Sequence, residues 1–141
     1  MIAYHRLDAD IAPLLANASV FDNPVDLQQL ARFQASDGHE LIFARSGGDV
    51  VGFASGTVIL HPDQAPAFFL NEVGVEAAFR QQGIGTELCR RLIDFARGHG
   101  CQGVWLATEE DNSAARALYR GLKARETRGI VVYDWGGAMD V

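Results

Sequence analysis

Residues 75–91, VEAAFRQQGIGTELCRR, place an arginine, two glutamines and two glycines at the mouth of an amphipathic helix. Strand-like apolar sequence ends at Val75, and helical spacing begins near Ile84. A helix N-terminus leaves up to four backbone N–H groups without partners and carries partial positive charge. Glycines there let an anion approach the backbone, and phosphate groups sit well in such a place. Each exposed contact of this kind is worth only about 0.3–1 kcal/mol, so several must converge to hold a ligand. Gln82, Gly83, Ile84, Gly85 and Thr86 offer consecutive N–H groups suited to one diphosphate, and Arg80 adds formal charge beside them. Taken alone, the same residues also describe a tight strand-to-helix turn. Two other phosphate turns are excluded. The dinucleotide fingerprint needs glycine or alanine where Leu88 stands, and the chain has no Gly-Lys-Ser/Thr tripeptide.

The flanking elements follow from periodicity. IAYHR (2–6) reads as a short strand, and Asp8 or Asp10 caps a following helix through Ile11, Leu14 and Leu15. A turn at Asp22-Asn23-Pro24 leads into a second helix, with Leu27, Leu30, Ala31 and Phe33 at helical spacing. ELIFAR and VVGFASGTVIL flank Gly47-Gly48-Asp49, a hairpin signal. AFFLNEVGV is a third long strand after the loop at 61–66. The helix from Ile84 to Arg97 carries a stripe of Ile84, Leu88, Leu92, Phe95 and Ala96, and ends at Gly98–Gly100. GVWLAT is an apolar strand, DNSAARALYRGL a helix capped near Asn112 or Ser113, and GIVVYDW a last strand. The order predicts one α/β domain over 1–141, with about six or seven strands in a mixed central sheet and about four helices on both faces.

Bulk properties narrow the function. The chain of 141 residues is 48% hydrophobic and 21% charged, the profile of a soluble globular protein. No apolar run approaches the roughly 20 residues a membrane helix needs, and MIAYHRLDADI carries no secretory signal, so a cytoplasmic location without membrane attachment is expected. A net charge of −6 argues against nucleic-acid binding by phosphate neutralisation and suits a cationic small partner. Cys89 and Cys101, with His5, His39, His61 and His99, show no ligand spacing, so no metal is expected.

Arg80-Gln81-Gln82-Gly83-Ile84-Gly85 resembles the Arg/Gln-x-x-Gly-x-Gly/Ala signature of the GCN5-related N-acetyltransferases. LNEVGV before it and DNSAARALYRGL one strand later stand at the matching places, so the resemblance runs from Ile2 to about Trp135. It implies a fold with splayed central strands and acetyl-CoA as co-substrate. The pyrophosphate would rest on backbone N–H groups from Gln82 to Thr86, with Arg80 and Gln81 at the turn's entrance. Val73 and Val75 would pair with pantetheine like an added strand, and an N–H near Val75 would polarise the thioester carbonyl. One such donor is worth about 10²–10³ in rate. Asn112 would contact pantetheine, and Tyr119 would protonate the departing thiolate; packing at the end of an alanine-rich helix accounts for Tyr119 equally simply. Arg116 and Arg120 either reach the CoA 3′-phosphate or form a solvated helix face. The chain departs from the family's Leu-Tyr-x-x-Leu-Gly-Phe ending, reading Leu118-Tyr119-Arg120-Gly121-Leu122-Lys123-Ala124.

An acceptor amine must lose a proton, which assigns a carboxylate to the cleft. Glu72, on the splayed strand, is the expected base, unless it is a strand-edge charge facing solvent. Glu109, Glu110 and Asp111 form an acidic rim or support the next helix's N-terminus. Phe21-Asp22-Asn23-Pro24, Glu72-Val73-Gly74-Val75 and Asp134 in VVYDW together resemble the aminoglycoside 3-N-acetyltransferases. That resemblance implies acetylation of an aminoglycoside 3-amino group by direct transfer in a ternary complex, with Asp22, Glu72 and Asp134 holding the substrate. The alternatives are another small amine, a protein amine, or a non-catalytic acyl-CoA-binding module. GIVVYDWGGAMDV offers an apolar strand for a possible homodimer.

Overall fold

The computed structural model describes residues 1–136. Its centre is one five-stranded sheet in the order β1-β2-β3-β4-β5, formed by Ile2–Arg6, His39–Ser46, Asp49–Ile59, Ala67–Val75 and Gly103–Trp105. The first four strands meander antiparallel, whereas β4 and β5 are parallel and require a crossover. α2 (Ile84–Gly98) supplies it; α1 (Leu27–Ala35) precedes β2, and α3 (Ser113–Gly121) follows β5.

Alternation along the strands divides the core into two. On the first face, Ile42, Ala44, Val51, Ala54, Phe68 and Leu70 pack against α2 through Leu88, Cys89, Leu92 and Ala96. Leu88 and Leu92 have no exposed surface, and truncating such a leucine typically costs about 2–5 kcal/mol. On the second face, Leu41, Phe43, Val50 and Phe53 pack under Leu15, Val20, Phe21, Leu30 and Phe33 from the chain between β1 and β2.

One irregularity redirects half of β4. Glu72 pairs with Ser55 and Leu70 with Gly56, which leaves Asn71 as an extra residue in β4. Such a bulge shifts the alternation by one. Phe68 and Leu70 therefore face α2, and so do Val73 and Val75 beyond the bulge, while Glu72 and Gly74 turn to the second face. The Asn71 side chain is fastened to that face by its Nδ2, which donates to Thr57 Oγ1 at 3.0 Å.

Among the described residues the sheet has five strands where about six or seven were expected, and there are three α-helices with two 3-10 turns where about four helices were. The expected first helix is a four-residue 3-10 turn, Ala12–Leu15, that buries only Leu15. Neither Asp8 nor Asp10 caps that turn, whose N-cap is Ile11; Asp8 instead shapes the turn before it, accepting from the N–H groups of Asp10 and Ile11 at 2.9 and 3.0 Å. β5 stops at Trp105 instead of running through GVWLAT, because the chain leaves β4 there. GIVVYDW is not a strand: Ile130, Val131, Val132, Tyr133 and Trp135 are exposed, and the three-residue edge of β5 is too short to template it. Residues 137–141 of the expected C-terminal strand lie outside the described residues. Among the described residues, no helix is long and apolar enough to cross a membrane.

Candidate active site

β4 and β5 pair only from Ala67↔Gly103 to Phe69↔Trp105, and β4 then continues alone on that side to Val75. Its free backbone edge, Leu70 to Val75, runs straight into the turn before α2. This is the splay the family resemblance implies. Val73 and Val75 sit half-buried on it, their side chains on the α2 core.

The turn is built from backbone conformation rather than side-chain caps. Gly83 is the N-cap residue of α2 with φ of +81°, no side-chain cap bond, and no atom within 4 Å of where a Cβ would project. Gln81 adopts φ of +61°, a conformation that costs a non-glycine residue of order 1–3 kcal/mol and clusters at functional sites. After Arg80, whose N–H donates to the Ala77 carbonyl at 3.4 Å, the next backbone donor with a backbone acceptor is Glu87, which donates to the Gly83 carbonyl at 3.0 Å. The N–H groups from Gln82 to Thr86 donate to no backbone acceptor among the described residues. Arg80 folds back so that its Nε donates to the Val75 carbonyl at 3.1 Å, which ties the strand end to the turn. Ile84 is buried as the first apolar anchor of α2, and Thr86 is half-buried.

Gly85 has a different reason to be glycine. A Cβ there would lie 2.9 Å from Leu118 Cδ1 of α3 and within 4 Å of Val75 and Val73 side chains. The second glycine of the motif is thus where α3 closes onto α2 beside the end of β4. Spacing alone did not show this.

α3 brings Tyr119 to the same core. Tyr119 packs half-buried against the first-face cluster, and burial, with the nearby Cys89 thiol second, pushes its hydroxyl up to about 12. The phenol therefore keeps its proton throughout the neutral range. Asn112 caps α3, its Oδ1 accepting from Ala115 N–H at 3.1 Å. The expected ligand contact is left to its amide Nδ2. Cys89 lies fully inside the core, and burial pushes its thiol up to about 12. Such a thiol is neither ionised nor reachable as a nucleophile.

On the second face, Glu72 is exposed opposite Ser55. The chain before α1 crosses close by: Phe21 stacks on Phe53 with centroids 4.3 Å apart, and the Val20 carbonyl lies against the Gly74 backbone. Ser19 Oγ donates to Glu76 Oε1 at 2.8 Å and fixes that crossing. Asp22, next to Phe21 and exposed, thus lies on the face that carries Glu72. Asp134 does not join them; it stands exposed in the segment after α3, which forms no strand.

Two groups of charges have structural duties. Arg116 donates to both carboxylate oxygens of Glu126 (3.1 and 3.3 Å) and to the Glu110 carbonyl (2.9 Å). Arg120 donates to the same carboxylate at 3.0 and 3.2 Å. These bonds hold the Glu126 carboxyl down at about 2 and engage both arginines that might have met a 3′-phosphate. Glu109 and Asp111 contribute carbonyls that accept from Asn112 and Ser113 N–H, shaping the turn into α3. Among the described residues, no group of three or more His, Cys, Asp and Glu is placed to hold a metal. A cavity of about 640 Å³, lined by Arg6, Asp8, His39, Glu40 and His99, opens at the opposite end of α2 and contains none of the predicted site residues.

Sequence reasoning missed the bulge at Asn71 and the Glu126 cluster. The bulge had a signal: core residues run 68, 70, then 73, 75, and the step of three marks an extra residue. The cluster had none, because Glu126 lies in an irregular segment with no period to read.

The chain was compared with known proteins. Residues 8–123 match the model of the acetyltransferase (GNAT) family. The N-alpha-acetyltransferase RimI of Mycobacterium tuberculosis is 39% identical over 123 residues, covering 85% of this chain and 74% of that protein. The mycothiol acetyltransferase of Corynebacterium glutamicum is 31% identical over 109 residues, which are 75% of this chain and 36% of that longer protein. Among solved structures, the aminoglycoside N-acetyltransferase AAC(6')-Iy in complex with CoA superposes with a TM-score of 0.80 at 18% identity, over 95% of this chain and 94% of its own.

Proposed function

The chain belongs to the acetyltransferase (GNAT) family and is an N-acetyltransferase with acetyl-CoA as its co-substrate; within that family we propose that it acetylates the 3-amino group of aminoglycoside-type aminosugars. The observation that carries the proposal is Glu72, exposed on the second face beyond the bulge, with the segment of Phe21 and the exposed Asp22 crossing that face. A multiply protonated amine suits that face and the net charge of −6. The whole chain, 1–141, acts as one catalytic domain in the cytoplasm, with no membrane or nucleic-acid partner.

In this proposal the pyrophosphate of acetyl-CoA rests on the unclaimed N–H groups from Gln82 to Thr86, with Arg80 and Gln81 shaping the entrance. The free edge of β4 at Val73 and Val75 receives pantetheine, and the Asn112 amide faces it from α3. Glu72, directly or through one water, takes a proton from the acceptor ammonium. The freed amine attacks the thioester carbon, the carbon–sulfur bond breaks, and the leaving thiolate takes a proton from Tyr119, whose phenolate is reprotonated by the second proton shed from the new amide nitrogen. Direct transfer suits the burial of Cys89, which rules out that thiol as an acyl carrier. Asp22 and Asp134 hold further ammonium groups; Asp134 reaches the acceptor only if the segment after α3 is repositioned. The active unit is a homodimer, since residues 129–135 carry an apolar run that a single chain leaves uncovered.

A second acceptor, the N-terminal amine of a protein, is favoured by the 39% identity to RimI. Acetyl-CoA consumption with gentamicin, kanamycin, spermidine and a peptide bearing a free N-terminus separates the two. Absence of turnover with every 2-deoxystreptamine compound, alongside turnover of the peptide, defeats the aminosugar proposal. The 3-amino position rests on the sequence motifs, whereas the solved neighbour is named for the 6′ position, so NMR of the acetylated product decides it. Calorimetric binding of CoA with no transfer to any amine would indicate a non-catalytic binding module.

A further inference from the structure

We propose that Phe69 and Trp105 form an aromatic shelf on which a second ring of the acceptor stacks while its reacting amine stands at Glu72, so that the site favours multi-ring over single-ring aminosugars. The inference rests on the aminosugar reading above and says which part of the acceptor the site recognises.

The register of the sheet fixes the shelf. Phe68 and Val104, paired across β4 and β5, pack into the α2 core, so the next pair, Phe69 and Trp105, points to the second face. There the two rings meet with centroids 4.5 Å apart. Phe69 is half-buried, whereas Trp105 remains 53% exposed. The chain between β1 and β2 covers Phe43, Val50 and Phe53 on this face, but Phe69 and Trp105 belong to neither apolar cluster. A single exposed apolar residue is ordinary. Two aromatic rings packed together on an open sheet face make a continuous surface that a ligand can lie on.

The bulge joins that surface to the proposed chemistry. In a regular strand Phe69 would share its face with Asn71 and Val73. The extra residue instead brings Glu72 to the side of Phe69, with Asn71 between them in the strand and bonded to Thr57. Three residues of strand span about 10 Å, a little less across a bulge, and β5 lies about 4.8 Å to the side. One ring held by its amine at Glu72 occupies part of that length. A linked second ring reaches the indole.

The two ends of the strip define the occupant. One end is aromatic and the other acidic, and the exposed Asp22 stands on the same face beside Phe21. An aromatic face attracts ammonium groups, tryptophan most strongly, and its apolar surface suits the C–H face of a sugar ring. A purely apolar ligand would strip water from Glu72 without pairing it. A linear polyamine carries the charges but has no flat face to lay on the shelf. An aminosugar of two or more rings meets both ends at once, and the net charge of −6 favours its approach.

The test compares gentamicin with 2-deoxystreptamine, a single ring bearing the same reacting amine, in the full chain and in Trp105→Ala and Trp105→Phe. In Trp105→Ala the KM for gentamicin is expected to rise about 5- to 30-fold with kcat little changed, while KM values for 2-deoxystreptamine and acetyl-CoA hold. Trp105→Phe keeps a ring and should recover most of the loss. A second readout needs no turnover. The chain has two tryptophans, so in Trp135→Phe all indole emission comes from Trp105, and gentamicin should change it at saturation while 2-deoxystreptamine does not. Melting curves that match the wild type verify the fold of each variant. An unchanged gentamicin KM in Trp105→Ala, or an equal rise for both acceptors or for acetyl-CoA, overturns the shelf while the aminosugar reading stands. A wild-type chain that acetylates a peptide and no aminosugar overturns both.

Discussion

α2 and α3 meet where Gly85 faces Leu118, and they treat their first turns in opposite ways. α3 satisfies its own donors: Asn112 closes over Ala115 N–H, as Asp26 does for Gln28 and Gln29 at the start of α1. α2 starts at Gly83 with no side-chain cap, although it is the longest of the three helices. A good cap is worth about 1 kcal/mol, so its absence from the central helix leaves stabilisation unused. A capped end is complete in itself. In the proposal, the pyrophosphate of acetyl-CoA completes the bare end of α2, where the partial positive charge favours it.

If the bare end serves only the co-substrate, disabling the proposed base on the other face must leave that end intact. Glu72→Gln is expected to lower turnover by about 10²–10⁴ with acetyl-CoA affinity unchanged by calorimetry. Near-normal turnover would reject Glu72 as the base. Next in size is Tyr119→Phe, expected to lower kcat about 10²-fold in steady-state assays while acetyl-CoA KM holds. Burial raises this phenol to about 12, so its proton is lost only as pH rises through that value. The wild-type pH–rate profile should therefore show no fall from Tyr119 anywhere in the neutral or mildly alkaline range.

Gly85→Ala sharpens the contrast within α2 itself. The new methyl meets Leu118, so a stability loss of about 1–3 kcal/mol by chemical denaturation is expected, with Leu118→Ala in the same chain restoring part of it. A variant of normal stability but raised acetyl-CoA KM would return Gly85 to a ligand role alone. The smallest effect concerns the capped end. Asn112→Ala should cost about 1 kcal/mol through the lost cap, whereas Asn112→Ser keeps a capping oxygen. A higher acetyl-CoA KM in the serine variant, at unchanged melting temperature, would show the amide also meeting the ligand.

The turn at 80–86 was legible because its signals are local: helical spacing, two glycines, and an arginine at the strand end. The meander and the crossover helix were legible for the same reason. What failed depended on neighbours that sequence does not display. GIVVYDW has the composition of a strand, yet a strand exists only where another edge receives it, and β5 ends after three residues. The turn at Ala12–Leu15 was read as a helix because its leucines fit the period, but it is only four residues long. Arg116 and Arg120 had the charge to meet a phosphate; Glu126 meets them first. Glu72 is proposed from its type and place alone, while the reason it faces away from α2 lies in Asn71, which carries none of the proposed chemistry.

That extra residue gives the catalyst a parity. With Asn71 present, Glu72 falls on the second face, where the proposed acceptor binds; with one residue fewer before it, the same carboxylate would be driven towards the oily underside of α2. Substitution can weaken this acid by degrees, but a single deletion upstream in β4 would silence it at once. Descendants of this chain that lost or gained one codon there would be expected to keep the co-substrate seat and lose the reaction.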